Sequence, residues 1–271
     1  MSALAKTIDS TLTLKDRIAT LTFERDDVRN ALTGTTLVDD IVNTVAWANE
    51  NSDVSVLIIT GSGKSFSAGG NIKEMQDKTG MFGGSVDDIQ KQYRQNIQRI
   101  PLAIHKAEIP IIAAVNGAAI GAGMDLSCMC DFRIGSTNAL FGETFINLGI
   151  IPGDGGAWFL QRLIGYQKAA ELTFTGRLVE AQEAKELGLL LDVVDADNLL
   201  DRALELASSI ASKPPLTIRH TKRLLKHAQQ QELPEFLENC ANVQAMCHHT
   251  NDHHEAVDAF LAKRKPKFSG T

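Results

Sequence analysis

The acids Asp125, Glu143 and Asp154 occupy the settings in this chain most suited to moving a proton. Asp125 follows a short apolar run, Ile111 to Val115, and a glycine turn, Gly121-Ala122-Gly123, at the start of a mostly apolar helical segment. A carboxyl enclosed by neighbours such as Met124 and Phe145 is expected to have its pKa raised toward neutrality, the condition for general acid–base work. Glu143 stands two residues before Phe145, so in an extended segment the two side chains would share a face. Asp154 lies in the turn Pro152-Gly153-Asp154-Gly155-Gly156. Each acid also has a purely structural reading. Asp125 or Asp154 would cap a helix, and Glu143 would form an ion pair.

The glycines supply the complementary element. Gly121 and Gly123 permit backbone shapes and close approaches that a Cβ obstructs, leaving free N–H groups at the positive end of the helix that follows. A second unit has the same form: Val56 to Thr60 reads as a buried strand, followed by Gly61-Ser62-Gly63-Lys64-Ser65-Phe66-Ser67-Ala68-Gly69-Gly70-Asn71-Ile72. Two such turns can oppose two N–H donors around a carbonyl oxygen that becomes an oxyanion.

At these residues the chain resembles the crotonase, or enoyl-CoA hydratase/isomerase, superfamily. The likeness runs through Gly63 to Ile72, Ala114 to Asp131, Phe141-Gly142-Glu143 to Gly156, Leu172 to Arg177, Ala184 to Leu189 and Phe260 to Pro266. It implies an α/β fold, a spiral of ββα units with a C-terminal helical region, assembled as a homotrimer or hexamer and acting on an acyl-CoA thioester. By that resemblance the backbone N–H groups of Gly70 and Ala122 hold the thioester oxygen. Ala68, Asn71 and Ile72 line the coenzyme A path, and Phe260 on the tail approaches ligand in a neighbouring subunit. No cofactor is implied beyond coenzyme A within the substrate.

The departures bear on the reaction. Family hydratases carry two glutamates; the first matches Asp125, shorter by about 1.5 Å, and the second matches Phe145, a substrate-binding position here rather than an acid. Asp125 is the favoured acid/base, with Glu143 and Asp154 as candidates to position water or carry a second proton. One acid suffices to shuttle a proton, so double-bond isomerisation or thioester hydrolysis stands beside hydration. A non-catalytic member binding RNA or a protein partner is the alternative from another class.

With 271 residues, 44% of them hydrophobic, the chain can build a large core, and its net charge of -6 disfavours general binding to nucleic acid or anionic membranes. Its four cysteines lack the spacing of a disulfide framework and read as reduced thiols. The N-terminus has no signal-like apolar core and no run is long enough to span a bilayer, so a cytoplasmic location is expected.

Alternating residues from Thr11 to Phe23 predict a hairpin, Thr36 to Glu50 a helix with Leu37, Ile41, Val45 and Ala48 inward, and Val86 to Lys106 a single helix. Thr79 to Ser85 reads as a glycine-rich loop, either a plain surface loop or an entrance to a binding pocket. The prolines after Lys213 divide a core, residues 1–212, from a helical region, residues 213–271, expected to serve trimerisation and ligand covering. The basic residues Arg219, His220, Lys222, Arg223, Lys226 and His227 predict a solvated helix face. Gly61 to Ser65 lacks the first glycine of a phosphate loop, and Gly117, Gly121 and Gly123 do not complete a dinucleotide fingerprint. His248, His249, His253 and His254 lie in polar surroundings, and no metal site is expected of them.

Overall fold

The computed structural model describes residues 3–271, so Met1 and Ser2 of the N-terminal reading lie outside the described residues. Strands β1 (Ser10–Lys15) and β2 (Ile18–Phe23) form the expected hairpin. Its two turn residues, Asp16 and Arg17, both take left-handed φ values of 50° and 66°, the shape that matches the twist of the strands. Helix α1 (Leu37–Glu50) buries the stripe of Leu37, Ile41, Val45 and Ala48.

The chain then winds as a spiral, each turn giving one strand to each of two sheets. The first turn is β3 (Val56–Gly61) and β4 (Ser65–Ser67), followed by α2 (Ile72–Asp77), α3 (Val86–Gln95) and α4 (Arg99–His105). The second is β5 (Ile111–Val115), β6 (Ala118–Ile120) and α5 (Ala122–Met129). The third is β7 (Phe132–Ser136) and β8 (Leu140–Gly142), with α6 (Gly156–Ile164) and α7 (Tyr166–Thr175). Strand β9 (Leu178–Glu180), α8 (Ala181–Glu186) and β10 (Asp192–Val194) complete the winding. One sheet runs β1-β2-β3-β5-β7-β10, parallel from β2 onward, and the other β4-β6-β8-β9.

Strands β3 and β5 are apolar runs because both of their faces are covered. The period of two sends Leu57 and Ile59 into the core between the sheets with Phe66 and Phe141. Ile58, Ile112 and Ile134 face the other way, onto Ala203 and Ala207 of α9 (Leu199–Ala211).

Two expectations are corrected. The helix predicted from Val86 to Lys106 is two helices, α3 and α4, broken at Asn96 to Gln98. Pro101 explains the break, since its ring would clash with the carbonyl of Ile97 in a continuous helix, whereas in the first turn of α4 its missing N–H is no loss. The basic stretch lies on α10 (Pro215–His227) but is not a solvated face: Arg219 and Lys222 are buried. The Arg219 guanidinium donates to the carbonyls of Ala48, Asn49, Asn51 and Val54 at 2.8–3.1 Å, closing the C-terminal end of α1. Lys222 donates to Ile109 O and to Asp131, and Lys226 to the carbonyls of His105 and Ala107. Cations here satisfy helix and strand ends that apolar packing would leave unpaired.

Helix α11 (Leu233–His248) has no buried residue, and α12 (Asn251–Leu261) carries Phe260 at 82% exposure. His248 Nδ1 and His253 Nε2 lie 3.0 Å apart, and among the described residues no group of three or more His, Cys, Asp or Glu side chains is arranged to hold a metal ion. None of the described helices is long and apolar enough to cross a membrane. The four cysteines are unpaired.

Candidate active site

The two glycine turns meet. A Cβ at Gly69 would fall 2.8 Å from Ala122 N and 2.5 Å from Ile120 O, and one at Gly123 would fall 2.1 Å from Ser67 O. Only glycine lets β4 and its turn lie directly on the entry to α5. Gly121, at φ 53° and ψ −122°, is a second requirement, because that backbone shape is closed to residues with a side chain.

These turns leave two donors free. Gly69 N donates to Ser67 Oγ (3.1 Å) and Asn71 N to Thr33 Oγ1 (2.7 Å), while Gly70 N between them has no acceptor. Ala122 is the first residue of α5, so its N–H has no partner in the helix. Both residues line one cavity of about 250 Å³, together with Ala68, Ile72, Met75, Met81, Phe82, Tyr93, Phe145, Leu148 and Asp154. The Gly80–Phe82 segment of the glycine-rich stretch is a 3-10 turn, and it supplies Met81 and Phe82 to this wall.

Behind the cavity the three acids come together. Asp125, Glu143 and Asp154 are 0%, 1% and 3% exposed. None of their six carboxyl oxygens has a donor elsewhere in the described chain, and Asp125 is within hydrogen-bonding reach of both the others. Carboxyls so placed must share protons, because three adjacent buried negative charges are not tolerated. Burial, then the charges of Asp154 and Glu143, holds Asp125 well above the ordinary carboxylate range. Burial pushes Glu143 up to about 7, against a hydrogen bond with Asp125 that favours its charged form. Burial also raises Asp154, opposed by a hydrogen bond with Asp125. Asp125 is thus the proton-holding member, with one O–H to donate to either neighbour in turn.

Gly156 is what lets the cluster close: a Cβ there would lie 2.1 Å from Asp125 Oδ1. The structural readings of the acids fail. Helix α6 is capped by Gly155 in the left-handed region, not by Asp154, and Glu143 has no cationic partner within salt-bridge range.

Asp154 alone of the three lines the cavity. Asp125 stands one layer back. Glu143 does not share a face with Phe145, because the segment is not extended: a 3-10 turn over Thr144–Leu148 begins at once, sending Glu143 inward and Phe145 into the cavity against Gly121. Asn71 is displaced from the cavity wall, its side chain accepting from Lys73 N and Glu74 N to cap α2. Phe260 lies outside the cavity in this chain. Tyr93 was missed in the sequence reading; its signal was the i, i+3, i+7 spacing of Val86, Ile89 and Tyr93 in an otherwise polar helix.

Two stacked sheets wound from ββα turns, with two free amides at the mouth of an acid-backed cavity, define a crotonase-type fold. The family model for enoyl-CoA hydratase/isomerase matches residues 13–271. The chain is 36% identical to the 2,3-dehydroadipyl-CoA hydratase of Escherichia coli over 256 residues, covering 94% of this chain and 96% of that one. It is 37% identical to the crotonyl-CoA hydratase of Syntrophomonas wolfei, covering 94% and 95%. The crystal structure of enoyl-CoA hydratase from Bacillus anthracis superposes with a TM-score of 0.90 at 34% identity, covering 97% of this chain and 100% of that one. The chain belongs to the enoyl-CoA hydratase/isomerase family.

Proposed function

We propose that the protein adds water reversibly across the double bond of a short 2-enoyl-CoA. The observation that carries this reading is the placement of Gly70, Ala122 and Asp154 around a single cavity. The thioester oxygen accepts hydrogen bonds from the Gly70 and Ala122 N–H groups, which strengthen as negative charge grows on it. The water oxygen bonds to the β-carbon while one water proton passes to the Asp154 carboxylate. The double-bond electron pair moves toward the thioester, giving an enolate, and Asp154 then delivers the proton to the α-carbon. Asp154 ends as it began, so one acid facing the substrate completes the cycle.

In this scheme Asp125 is the positioning residue that holds a proton behind Asp154, and Glu143 shares that proton. The reaction moves only water and protons, so it calls on no redox cofactor. The size of the cavity, about 250 Å³, and the names of the two hydratase relatives above favour a short acyl group. We assign residues 1–212 the catalytic core and residues 213–271 a covering role in a trimer or hexamer. The bare surfaces of α11 and α12, and Phe260 among them, support that role.

A second reading is double-bond isomerisation without hydration, favoured by Phe145 where a second carboxylate would hold water. Incubation with crotonyl-CoA in ¹⁸O-water followed by mass spectrometry tests the first: a product heavier by one labelled water supports hydration. Migration of the double bond without label in 3-enoyl-CoA, and no labelled product from crotonyl-CoA, supports the second.

A further inference from the structure

The reacting water needs a second polar contact once Phe145 stands in place of an acid, and the cavity wall offers one on α3. Tyr93 is half-buried and lines the cavity that Asp154 also lines. Its ring lies against the turn that carries Asp154, since a Cβ on Gly153 would come 2.9 Å from Tyr93 Cε1. Gln98 Nε2 fastens the same turn by donating to Gly153 O at 2.8 Å. The break between α3 and α4, enforced by Pro101, thus docks the end of α3 beside Asp154.

The phenol oxygen is unspent, with no hydrogen bond to any described residue. Burial and the nearby Asp154 charge raise the phenol above its ordinary pKa, so it keeps its proton through neutral pH. The other polar side chains of the wall are less suited. Thr33 Oγ1 is engaged by Asn71 N, Arg29 is exposed at the rim, and the methyl of Thr144 packs at Gly142, where a Cβ would meet it at 2.9 Å. The chain's other tyrosine, Tyr166, is 72% exposed and away from the cavity.

We propose that Tyr93 is a catalytic residue of the hydration step, its phenol oxygen accepting one O–H of the water whose other proton passes to Asp154. The water oxygen bonds to the β-carbon, the O–H bond toward Asp154 breaks, and Tyr93 neither gains nor loses a proton. In the reverse direction the same contact holds the departing β-hydroxyl. This assignment rests on the enoyl-CoA reading above.

Two reactions separate the role from a structural one. Hydration of crotonyl-CoA uses the water, whereas exchange of the α-hydrogens of butanoyl-CoA with D₂O uses only the two amides and Asp154. Tyr93→Phe keeps the ring packed on Gly153. It is expected to lower kcat for hydration by about 10- to 100-fold, the range for losing one positioned polar contact, with KM and the exchange rate unchanged within about threefold. Hydration by the variant within threefold of wild type overturns the assignment, and so does an equal fall in both reactions, which marks Tyr93 as merely structural. A wild-type protein that exchanges but does not hydrate, or does neither, overturns the hydratase reading itself and the assignment with it.

Discussion

Glu143→Gln isolates the electrostatics of the buried acids. In the folded protein the Glu143 carboxyl titrates at about 7, against an ordinary value of 4.5. Below pH 4.5 both folded and unfolded chains hold the proton and the group contributes no difference. Between 4.5 and 7 the unfolded chain releases its proton while the folded one keeps it, so stability falls as pH rises through this window. At about 1.4 kcal/mol per pH unit, the loss from Glu143 alone is about 3 kcal/mol by neutral pH. Glutamine preserves shape, does not titrate, keeps an oxygen to accept from the Asp125 carboxyl and removes the charge that Asp154 repels. The variant should therefore unfold at the wild-type temperature near pH 4.5 and roughly 6–12 °C above it at pH 8, at the 2–4 °C per kcal/mol typical of a chain this size. Calorimetry across pH 4.5 to 8 reads the effect directly. Parallel curves for wild type and variant, or a variant less stable at pH 8, would refute the buried-proton account of the cluster.

Asp154→Asn should lower kcat for crotonyl-CoA hydration by about 10²- to 10⁴-fold, the loss expected for a general acid–base group, with a smaller effect from Asp125→Asn; steady-state kinetics decides the order. Gly156→Ala should destabilise the fold by about 1–3 kcal/mol through collision with Asp125, and adding Asp125→Ala should recover part of that loss in chemical unfolding. Arg219→Met should cost about 2–4 kcal/mol by stripping four carbonyls of their donor, seen as a fall in denaturation midpoint. It should leave kcat unaltered, because α10 does not touch the cavity.

The parts of this fold legible in the sequence were those with strong period or punctuation. The Thr11–Phe23 alternation, the Leu37-Ile41-Val45-Ala48 stripe and the Val56 and Ile111 runs each correspond to an element. The glycine turns indicated that free amides gather near them, since φ constraints and close approaches leave a mark in residue type, whereas the particular positions 70 and 122 came from the family resemblance. Depth left no such mark. Nothing in the spacing of Asp125, Glu143 and Asp154 says that the first is sealed behind the third, because a 3-10 turn and the tight seat at Gly156 decide it. The three-residue β6 was hidden by its brevity, and Arg219 and Lys222 were concealed by their charge, since their burial depends on distant carbonyls.

The most direct test is a crystal structure with a non-reacting acyl-CoA bound. The account predicts the thioester oxygen about 3 Å from both Gly70 N and Ala122 N, with the Asp154 carboxyl facing the α- and β-carbons and Asp125 behind it. A thioester oxygen bound away from these two amides, or Asp125 in contact with the acyl group and Asp154 turned aside, would contradict it.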